Sequence, residues 1–232
     1  MPVSPERPPA SAPLSSPRPM RSTLFALALL VAGCAEPEAP AVADAPPPAA
    51  SPEAAAGGAL AVGARAPDFE LPDIDGGTVR LSDLLTSGPV VLTFYRGAWC
   101  PYCNTSLQGF QAELGEILDA GGYLVAVSPQ AEIGSQEMAE TNALSFPVLS
   151  DAGNRVSRAY GLVFQVDEST KAQYQAVGID LEAVNGSDAW ELPVPATYVI
   201  DEAGIIRAAF VEADYTQRAD PRDVIDALRT LT

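Results

Sequence analysis

Two cysteines separated by two residues are the side chains of this sequence best suited to do chemistry. Cys100 and Cys103 lie in the segment WCPYC, residues 99–103. A thiolate is a nucleophile, and two thiols within one helical turn can close a disulfide after a modest adjustment of that turn. The spacing therefore predicts reversible dithiol–disulfide chemistry.

The position of the pair, between a predicted strand and a predicted helix, indicates different roles for the two sulfurs. A cysteine at a helix N-terminus meets unpaired N–H groups and the positive end of the helix dipole, which lower its pKa from about 8.5. Pro101 suits the first helical position, because that position needs no N–H. Cys100 is therefore predicted to be the exposed, activated nucleophile and Cys103 its buried partner.

Two other uses of a Cys-x-x-Cys pair stay open at this point. One is half of a zinc site, which would need two further ligands. The sequence has no histidine and one other cysteine, Cys34, so those ligands would be carboxylates or come from a second chain. The other use is a pair of inert core cysteines, although Trp99 and Pro101 are unusual neighbours for plain packing residues. We predict redox chemistry and no metal.

The composition excludes several classes of function. With no histidine, the chain cannot build a Ser-His-Asp triad, a Cys-His pair or a histidine zinc ligand. Its 13 basic and 30 acidic residues give a net charge of -17, so no basic face is available to neutralise phosphates, and we predict no nucleic-acid partner. A hydrophobic fraction of 47% is that of a globular protein with a core.

The first 58 residues differ from the rest of the chain. They contain 13 of the 22 prolines and one of the 16 aromatic residues. Residues 24–33 form an apolar run that follows a short basic lead. The run is too short to cross a hydrocarbon layer of about 30 Å, which needs about 20 helical residues, and it is typical of a signal peptide.

The apolar run ends in VAGC, residues 31–34, which resembles the lipobox of bacterial lipoproteins. The resemblance implies that Cys34 carries a lipid, whereas the alternative is an ordinary signal peptide with a chance cysteine. We predict three parts: a lipoprotein signal peptide (1–34), a disordered linker of Ala, Pro and acidic residues (35–58) and a working domain (59–232). The protein would then be a membrane-anchored lipoprotein of the bacterial cell envelope, with its domain facing the periplasm or the exterior.

The working domain alternates strand and helix patterns, which predicts an α/β fold with a mixed central sheet and helices on both faces. Residues 89–95 (PVVLTFY) are a β-branched and aromatic run typical of a strand covered on both sides. The other predicted strands are 123–127, 146–149, 196–200 and 205–211. The predicted helices are 103–120, 132–143, 154–160 and 221–231, and an insertion at 162–193 contains a further helix near Tyr174.

Several segments of this domain occur in the order seen in a known family. They are residues 66–69 (APDF), 95–103 (YRGAWCPYC), 128–130 (SPQ), 146–151 (FPVLSD) and 195–201 (PATYVID). Over residues 60–231 the chain resembles the AhpC/TSA, or redoxin, group of the thioredoxin superfamily. It is most similar to the peroxiredoxin-like branch with an Arg-Gly-x-Trp-Cys-Pro-x-Cys site.

This resemblance implies a thioredoxin-like fold and a thiol-dependent peroxidase that reduces H2O2 or organic hydroperoxides. Cys100 would become the sulfenic acid, Cys103 would resolve it, and a thioredoxin-like dithiol would reduce the resulting disulfide. The redox-active disulfide is the only cofactor implied. Arg96 would stabilise the thiolate and the developing charge on the peroxide. The substrate-binding set would be Trp99, Tyr102, Thr197 and Pro195, the last as a cis-proline.

The chain departs from the peroxiredoxin or thioredoxin pattern at four positions. Peroxiredoxins have a Pro seven residues and a Thr or Ser three residues before the peroxidatic cysteine, and counted from Cys100 these positions hold Thr93 and Gly97. Pro195 stands where they have an Arg. Thioredoxins have a buried Asp where this chain has Phe94. A thiol-disulfide oxidoreductase acting on protein disulfides and a non-enzymatic redox-sensing module therefore stay open as alternatives.

Overall fold

Strands and helices alternate along the part of the chain that the computed structural model describes, residues 58–231. The strands are β1 (Glu70–Pro72), β2 (Thr78–Arg80), β3 (Val90–Phe94), β4 (Tyr123–Ser128), β5 (Val148–Ser150), β6 (Val163–Gln165), β7 (Glu191–Pro193), β8 (Ala196–Ile200) and β9 (Ile206–Val211). The helices are α1 (Leu81–Leu85), α2 (Pro101–Ala112), α3 (Leu114–Asp119), α4 (Glu132–Thr141), α5 (Arg155–Ala159), α6 (Glu168–Ala176), α7 (Leu181–Asn185) and α8 (Pro221–Arg229).

Five of these strands form one mixed sheet in the order β5-β4-β3-β8-β9. Strands β3, β4 and β5 are parallel, whereas β8 and β9 are antiparallel to their neighbours. Helices connect the parallel strands, as the crossover between parallel strands requires. The predicted mixed sheet is confirmed, and the chain has the thioredoxin-like fold.

The central strand β3 explains why both faces of the sheet carry helices. Its five residues are all buried, and side chains alternate between the faces. Leu92 belongs to a hydrophobic cluster that includes buried residues of α1, α5, α6 and α7. Val91 belongs to a second cluster, which includes buried residues of α2, α3, α4 and α8 together with both active-site cysteines.

One predicted helix is divided into two in the structure. The pattern at 103–120 predicts a single helix, but the chain forms α2 and α3 with Glu113 between them at φ -101° and ψ 10°. The Glu113 N–H still donates to the Gly109 carbonyl at 3.3 Å, so the break is local. The apolar spacing continues across it, with Phe110 and Ile117 both buried, and this continuity hid the break from the sequence pattern.

The predicted insertion at 162–193 folds against the rest of the domain. Strands β6 and β7 pair within it, and Asp167 and Asp180 cap the two short helices between them. The predicted helix near Tyr174 is confirmed as α6, and the Tyr174 side chain is fully buried.

The predicted signal peptide, Cys34 and nearly all of the linker lie outside the described residues. Within residues 58–231, no helix is long and apolar enough to cross a membrane.

Candidate active site

The two cysteines lie where β3 leads into α2. Cys100 is the N-cap of α2, with extended backbone angles of φ -95° and ψ 113°, and Pro101 is the first helical residue. The Cys100 carbonyl accepts hydrogen bonds from the N–H groups of Cys103 at 3.0 Å and Asn104 at 3.2 Å. The backbone therefore places Cys103 one turn into the helix, and both sulfurs are free thiols in this structure.

The expectation that Cys100 is exposed is wrong. Both cysteines are 0% exposed to solvent. The helix terminus is covered because Trp99, Tyr174 of α6 and the segment 212–220 between β9 and α8 pack around the residues that lead into it.

Arg96 lies against Cys100 and is itself buried, with 1% of its surface exposed. Its Nη2 donates to Cys100 Sγ at 3.1 Å, and its Nη1 donates to the Tyr174 hydroxyl at 3.2 Å. The guanidinium carbon is 4.1 Å from the ring centroid of Tyr215 and 5.1 Å from that of Trp99. The rings shield the cation from water and contribute a cation–π attraction.

The Arg96 cation has no acidic partner among the described residues, where every ion pair within 4.0 Å joins other side chains. Burial works against the charged guanidinium, but attraction to Cys100 and Cys103 outweighs it and raises the pKa of Arg96. The buried cation is therefore balanced by a thiolate of the cysteine pair.

The two sulfurs interact, and the pKa values of the pair are shifted in opposite directions. The hydrogen bond that the Cys100 thiol donates to Cys103 raises the pKa of Cys100, and burial raises it further. Burial also opposes ionisation of Cys103, but the hydrogen bond from Cys100 holds the pKa of Cys103 well below its usual value. The nearby charges of Arg218 and Arg96 lower it further. These interactions favour ionisation of Cys103 over ionisation of Cys100.

Arg218 is the second cation at the pair. It lies in the segment 212–220, and its Nη2 donates to Cys103 Sγ at 3.4 Å. Its Nη1 donates to the carbonyl groups of Tyr215 and Gln217 in the same segment, and these hydrogen bonds hold the guanidinium in place. Each sulfur therefore has its own guanidinium, Arg96 at Cys100 and Arg218 at Cys103.

A small cavity of about 10 Å³ borders Cys103. Arg218, Pro195, Thr93 and Thr197 are among its lining residues. The two threonine hydroxyls come from neighbouring strands and lie 3.0 Å apart. The cavity has room for roughly one water-sized molecule, and polar groups with a cation surround that space.

The predicted substrate-binding residues divide between two places. Pro195 and Thr197 line the cavity. Trp99 packs on Tyr174 at 5.4 Å between ring centroids, and Tyr102 meets Tyr215 edge-on at 5.7 Å, so both belong to the aromatic cover near Arg96.

The expectation of a cis-proline at Pro195 is wrong, since no cis peptide bond occurs in residues 58–231. The chain runs extended from β7 into β8 at this point. The Val194 N–H donates to the Leu162 carbonyl at 2.7 Å, and the Pro195 carbonyl accepts from Glu212 N–H at 3.3 Å. The Val194 N–H and the Pro195 carbonyl therefore both form hydrogen bonds while the peptide bond between the two residues is trans.

Sequence reasoning missed three residues that complete the site: Tyr174, Tyr215 and Arg218. None is near the cysteines in sequence. Tyr174 and Tyr215 reach the site by contacting Arg96, and Arg218 reaches it by contacting Cys103. The sequence contains one usable signal, the scarcity of basic residues. The working domain has 10 basic and 25 acidic residues, so a basic residue in a connecting segment, such as Arg218, is a candidate functional residue. In the described part of the chain, no group of three or more Cys, Asp or Glu side chains is placed to hold a metal ion.

Comparisons with known proteins identify the family of the chain. The sequence profile of the AhpC/TSA family matches residues 62–209. The "Putative peroxiredoxin Rv2521" of Mycobacterium tuberculosis is 31% identical over 160 residues, which cover 69% of this chain and 88% of that protein. The thiol-disulfide oxidoreductase ResA of Geobacillus thermodenitrificans is 34% identical over 122 residues, which cover 50% of this chain and 68% of ResA.

A solved structure gives the same result for the fold. The crystal structure of the peroxidoxin BcpB from Mycobacterium tuberculosis matches with a TM-score of 0.60 and 26% identity, over 75% of this chain and 99% of BcpB. The matched residues 62–209 include the central sheet up to β9, both cysteines and Arg96. The chain therefore belongs to the AhpC/TSA family.

Proposed function

We propose that the Cys100–Cys103 pair reduces H2O2 or organic hydroperoxides and that a dithiol protein of the thioredoxin type re-reduces it. One observation carries the proposal most directly. The buried thiol pair lies between two guanidinium groups, and a small polar cavity borders Cys103. Cations fixed at a reacting sulfur stabilise both the thiolate and the charge that develops on the departing oxygen.

The reaction has three balanced steps. A thiolate attacks one peroxide oxygen, so that an S–O bond forms, the O–O bond breaks, and water or an alcohol leaves after taking up a proton. The second thiol loses its proton and attacks the sulfenic sulfur, which forms the disulfide and releases the oxygen as water. An external dithiol then reduces the disulfide through a mixed disulfide and is itself oxidised.

Access favours peroxide over a protein disulfide as the oxidising substrate. Both sulfurs are 0% exposed, and the neighbouring cavity measures about 10 Å³. Entry of a peroxide needs a smaller displacement of the surrounding side chains than entry of a peptide loop that carries a disulfide, which would have to move the aromatic cover.

Stopped-flow fluorescence of the reduced protein tests the proposal, because Trp99 adjoins Cys100 and its ring lies 5.1 Å from the Arg96 guanidinium. We expect H2O2 at pH 7 to oxidise the pair about a hundredfold or more faster than it oxidises free dithiothreitol, the effect of one fixed donor at a developing charge. The Cys100→Ser, Cys103→Ser double variant is the control and should not respond. Peroxide oxidation no faster than that of dithiothreitol, with rapid oxidation by a protein disulfide, would favour the thiol-disulfide oxidoreductase.

We also propose that Cys34 carries a lipid that anchors the protein to a membrane of the bacterial cell envelope. The support is the order of an apolar run, two small residues and a cysteine at residues 24–34. Wild type should partition into detergent from whole cells and incorporate labelled palmitate, and Cys34→Ser should do neither. Equal labelling and equal membrane recovery of the two proteins would remove the anchor.

A further inference from the structure

We propose that Cys103, and not Cys100, is the sulfur that attacks the peroxide, with Arg218 as its catalytic cation and Cys100 as the resolving thiol. The proposal rests on the proposed peroxidase function and reverses the roles that the family resemblance implies. Two geometric features of the site support it, access and the placement of the cations, and the pKa shifts of the pair agree with them.

Access favours Cys103 because only one of the two cysteines borders the cavity. Cys103 is among its lining residues, together with Arg218 and the hydroxyl pair of Thr93 and Thr197, and Cys100 is not. Cys100 lies instead against Arg96, which Trp99, Tyr174 and Tyr215 cover. A peroxide in the cavity would thus meet Cys103 first.

The charges around the cavity match the attack of a thiolate on an O–O bond. Arg218 Nη2 donates to Cys103 Sγ at 3.4 Å, and Arg218 lines the same cavity. It can therefore contact both the sulfur and an oxygen bound beside it. The threonine hydroxyls, 3.0 Å apart on the strand side, can donate to the other oxygen. These groups supply the hydroxyl and the cation that are missing at Gly97 and Pro195.

The interaction between the sulfurs also favours Cys103 as the attacking residue. Burial opposes ionisation of Cys103, but the interaction with Cys100 and the charge of Arg218 lower the pKa of Cys103 below its usual value. Arg96, at 3.1 Å from Cys100 Sγ, is then positioned to stabilise Cys100 when it becomes a thiolate in the second step.

The chemistry follows in order. The Cys103 thiolate attacks the terminal oxygen of R–O–O–H, the S–O bond forms, and the O–O bond breaks. RO⁻ leaves next to Arg218 and takes a proton from water. The peroxide is reduced by two electrons, and the sulfur is oxidised to Cys103–SOH. Cys100 then loses its proton to the departing hydroxide, which leaves as water, and the S–S bond forms.

Single-cysteine variants test the assignment. Reduced Cys100→Ser and Cys103→Ser proteins are mixed with H2O2 and dimedone at pH 7, and the adduct is quantified against time by peptide mass spectrometry. Cys100→Ser keeps a hydroxyl donor at the position of the S–H, so we expect rapid adduct formation at Cys103. Cys103→Ser should form an adduct at Cys100 on the order of a hundredfold more slowly, because the cavity contact and one fixed donor are lost.

The outcomes separate the two hypotheses. Rapid adduct formation at Cys100 in Cys103→Ser, with a slow reaction of Cys100→Ser, would overturn the assignment while leaving the peroxidase intact. A wild-type protein that reacts no faster than free dithiothreitol would remove the proposed function itself.

A second measurement keeps both cysteines and so does not depend on how the cysteine variants fold. Arg218→Met should slow the first oxidation at pH 7 by about tenfold or more, which is the effect of a pKa increase of about one unit. The thiolate part of this loss should disappear as the pH rises above the new pKa of Cys103. Arg222→Met removes an exposed cation four residues away and should react like wild type. An Arg218→Met protein with an unchanged first oxidation would overturn the proposal.

Discussion

Replacing Arg96 by Met should abolish most peroxidase turnover while leaving the first oxidation of the protein far less affected. Arg96 is 1% exposed, and its Nη2 contacts Cys100 Sγ at 3.1 Å. Loss of such a fixed donor should slow the attack of Cys100 on the sulfenic acid on the order of 10²–10³-fold. Two-phase stopped-flow traces should therefore show a first phase that persists and a second phase that nearly disappears, and dimedone should trap the accumulated sulfenic acid at Cys103.

Arg96→Lys is the matched control, because it retains the positive charge and loses the planar guanidinium that donates to both Cys100 and Tyr174. It should recover part of the second phase. If Arg96→Met instead slowed the first phase as strongly as the second, Arg96 would serve the attacking sulfur, and the order of the two cysteines would have to be reversed.

Gly97→Ala should give the largest loss of stability among substitutions near the site. Gly97 has φ +151°, and an added Cβ would lie 2.8 Å from Gln130 Oε1 and would collide with the Trp99 indole nitrogen. Gln130 is buried and accepts a hydrogen bond from the Ala98 N–H at 2.7 Å, so it cannot move aside freely. Overpacking and backbone strain together should lower the free energy of unfolding by about 2–4 kcal/mol, as measured by urea denaturation.

Gly115→Ala is the control, and we expect it to change the free energy of unfolding in the opposite direction. Gly115 lies in α3, and no atom lies within 4 Å of an added Cβ. Alanine in a helix is more stable than glycine by about 0.5–1 kcal/mol, so this variant should unfold at higher urea concentration than wild type. A Gly97→Ala protein as stable as wild type would mean that the Trp99 and Gln130 side chains can rearrange at little cost.

The arrangement of the sheet could be predicted from sequence because its signals are local. The run at 89–95 is apolar at four of the five positions that β3 buries, all but Thr93, and residues 196–200 match β8 along its whole length. Helix ends were less accurate, as the break at Glu113 shows, because a buried apolar stripe continues across it.

The active site could be predicted only in part, since its charge balance depends on contacts between distant segments. Cys100 and Arg96 are four residues apart, and the sequence pattern places them together. Arg218 lies 115 residues from Cys103, and Tyr174 lies 78 residues from Arg96. These distant partners change the electrostatics of the pair, so the helix dipole alone does not determine which sulfur ionises more readily.

The departures from the peroxiredoxin pattern depend on which cysteine is taken as the peroxidatic one. With Cys100 in that role, Gly97 stands where the hydroxyl residue is expected. Counted from Cys103, the position three residues earlier is Cys100 itself, and its S–H donates to the Cys103 sulfur as a hydroxyl at that position could. The first cysteine thus occupies the place of the absent Thr or Ser.

The two guanidinium groups at the cysteine pair also bear on how easily the oxidised protein is recycled. In the reduced protein the buried charge of Arg96 is balanced by a thiolate, and no carboxylate pairs with it within residues 58–231. A disulfide carries no charge, so oxidation removes that balance and leaves the cations facing a neutral bond. Interactions that stabilise the dithiol over the disulfide raise the reduction potential of the pair. The two arginines that stabilise a thiolate of the reduced pair therefore also make electron transfer from a donor dithiol thermodynamically more favourable.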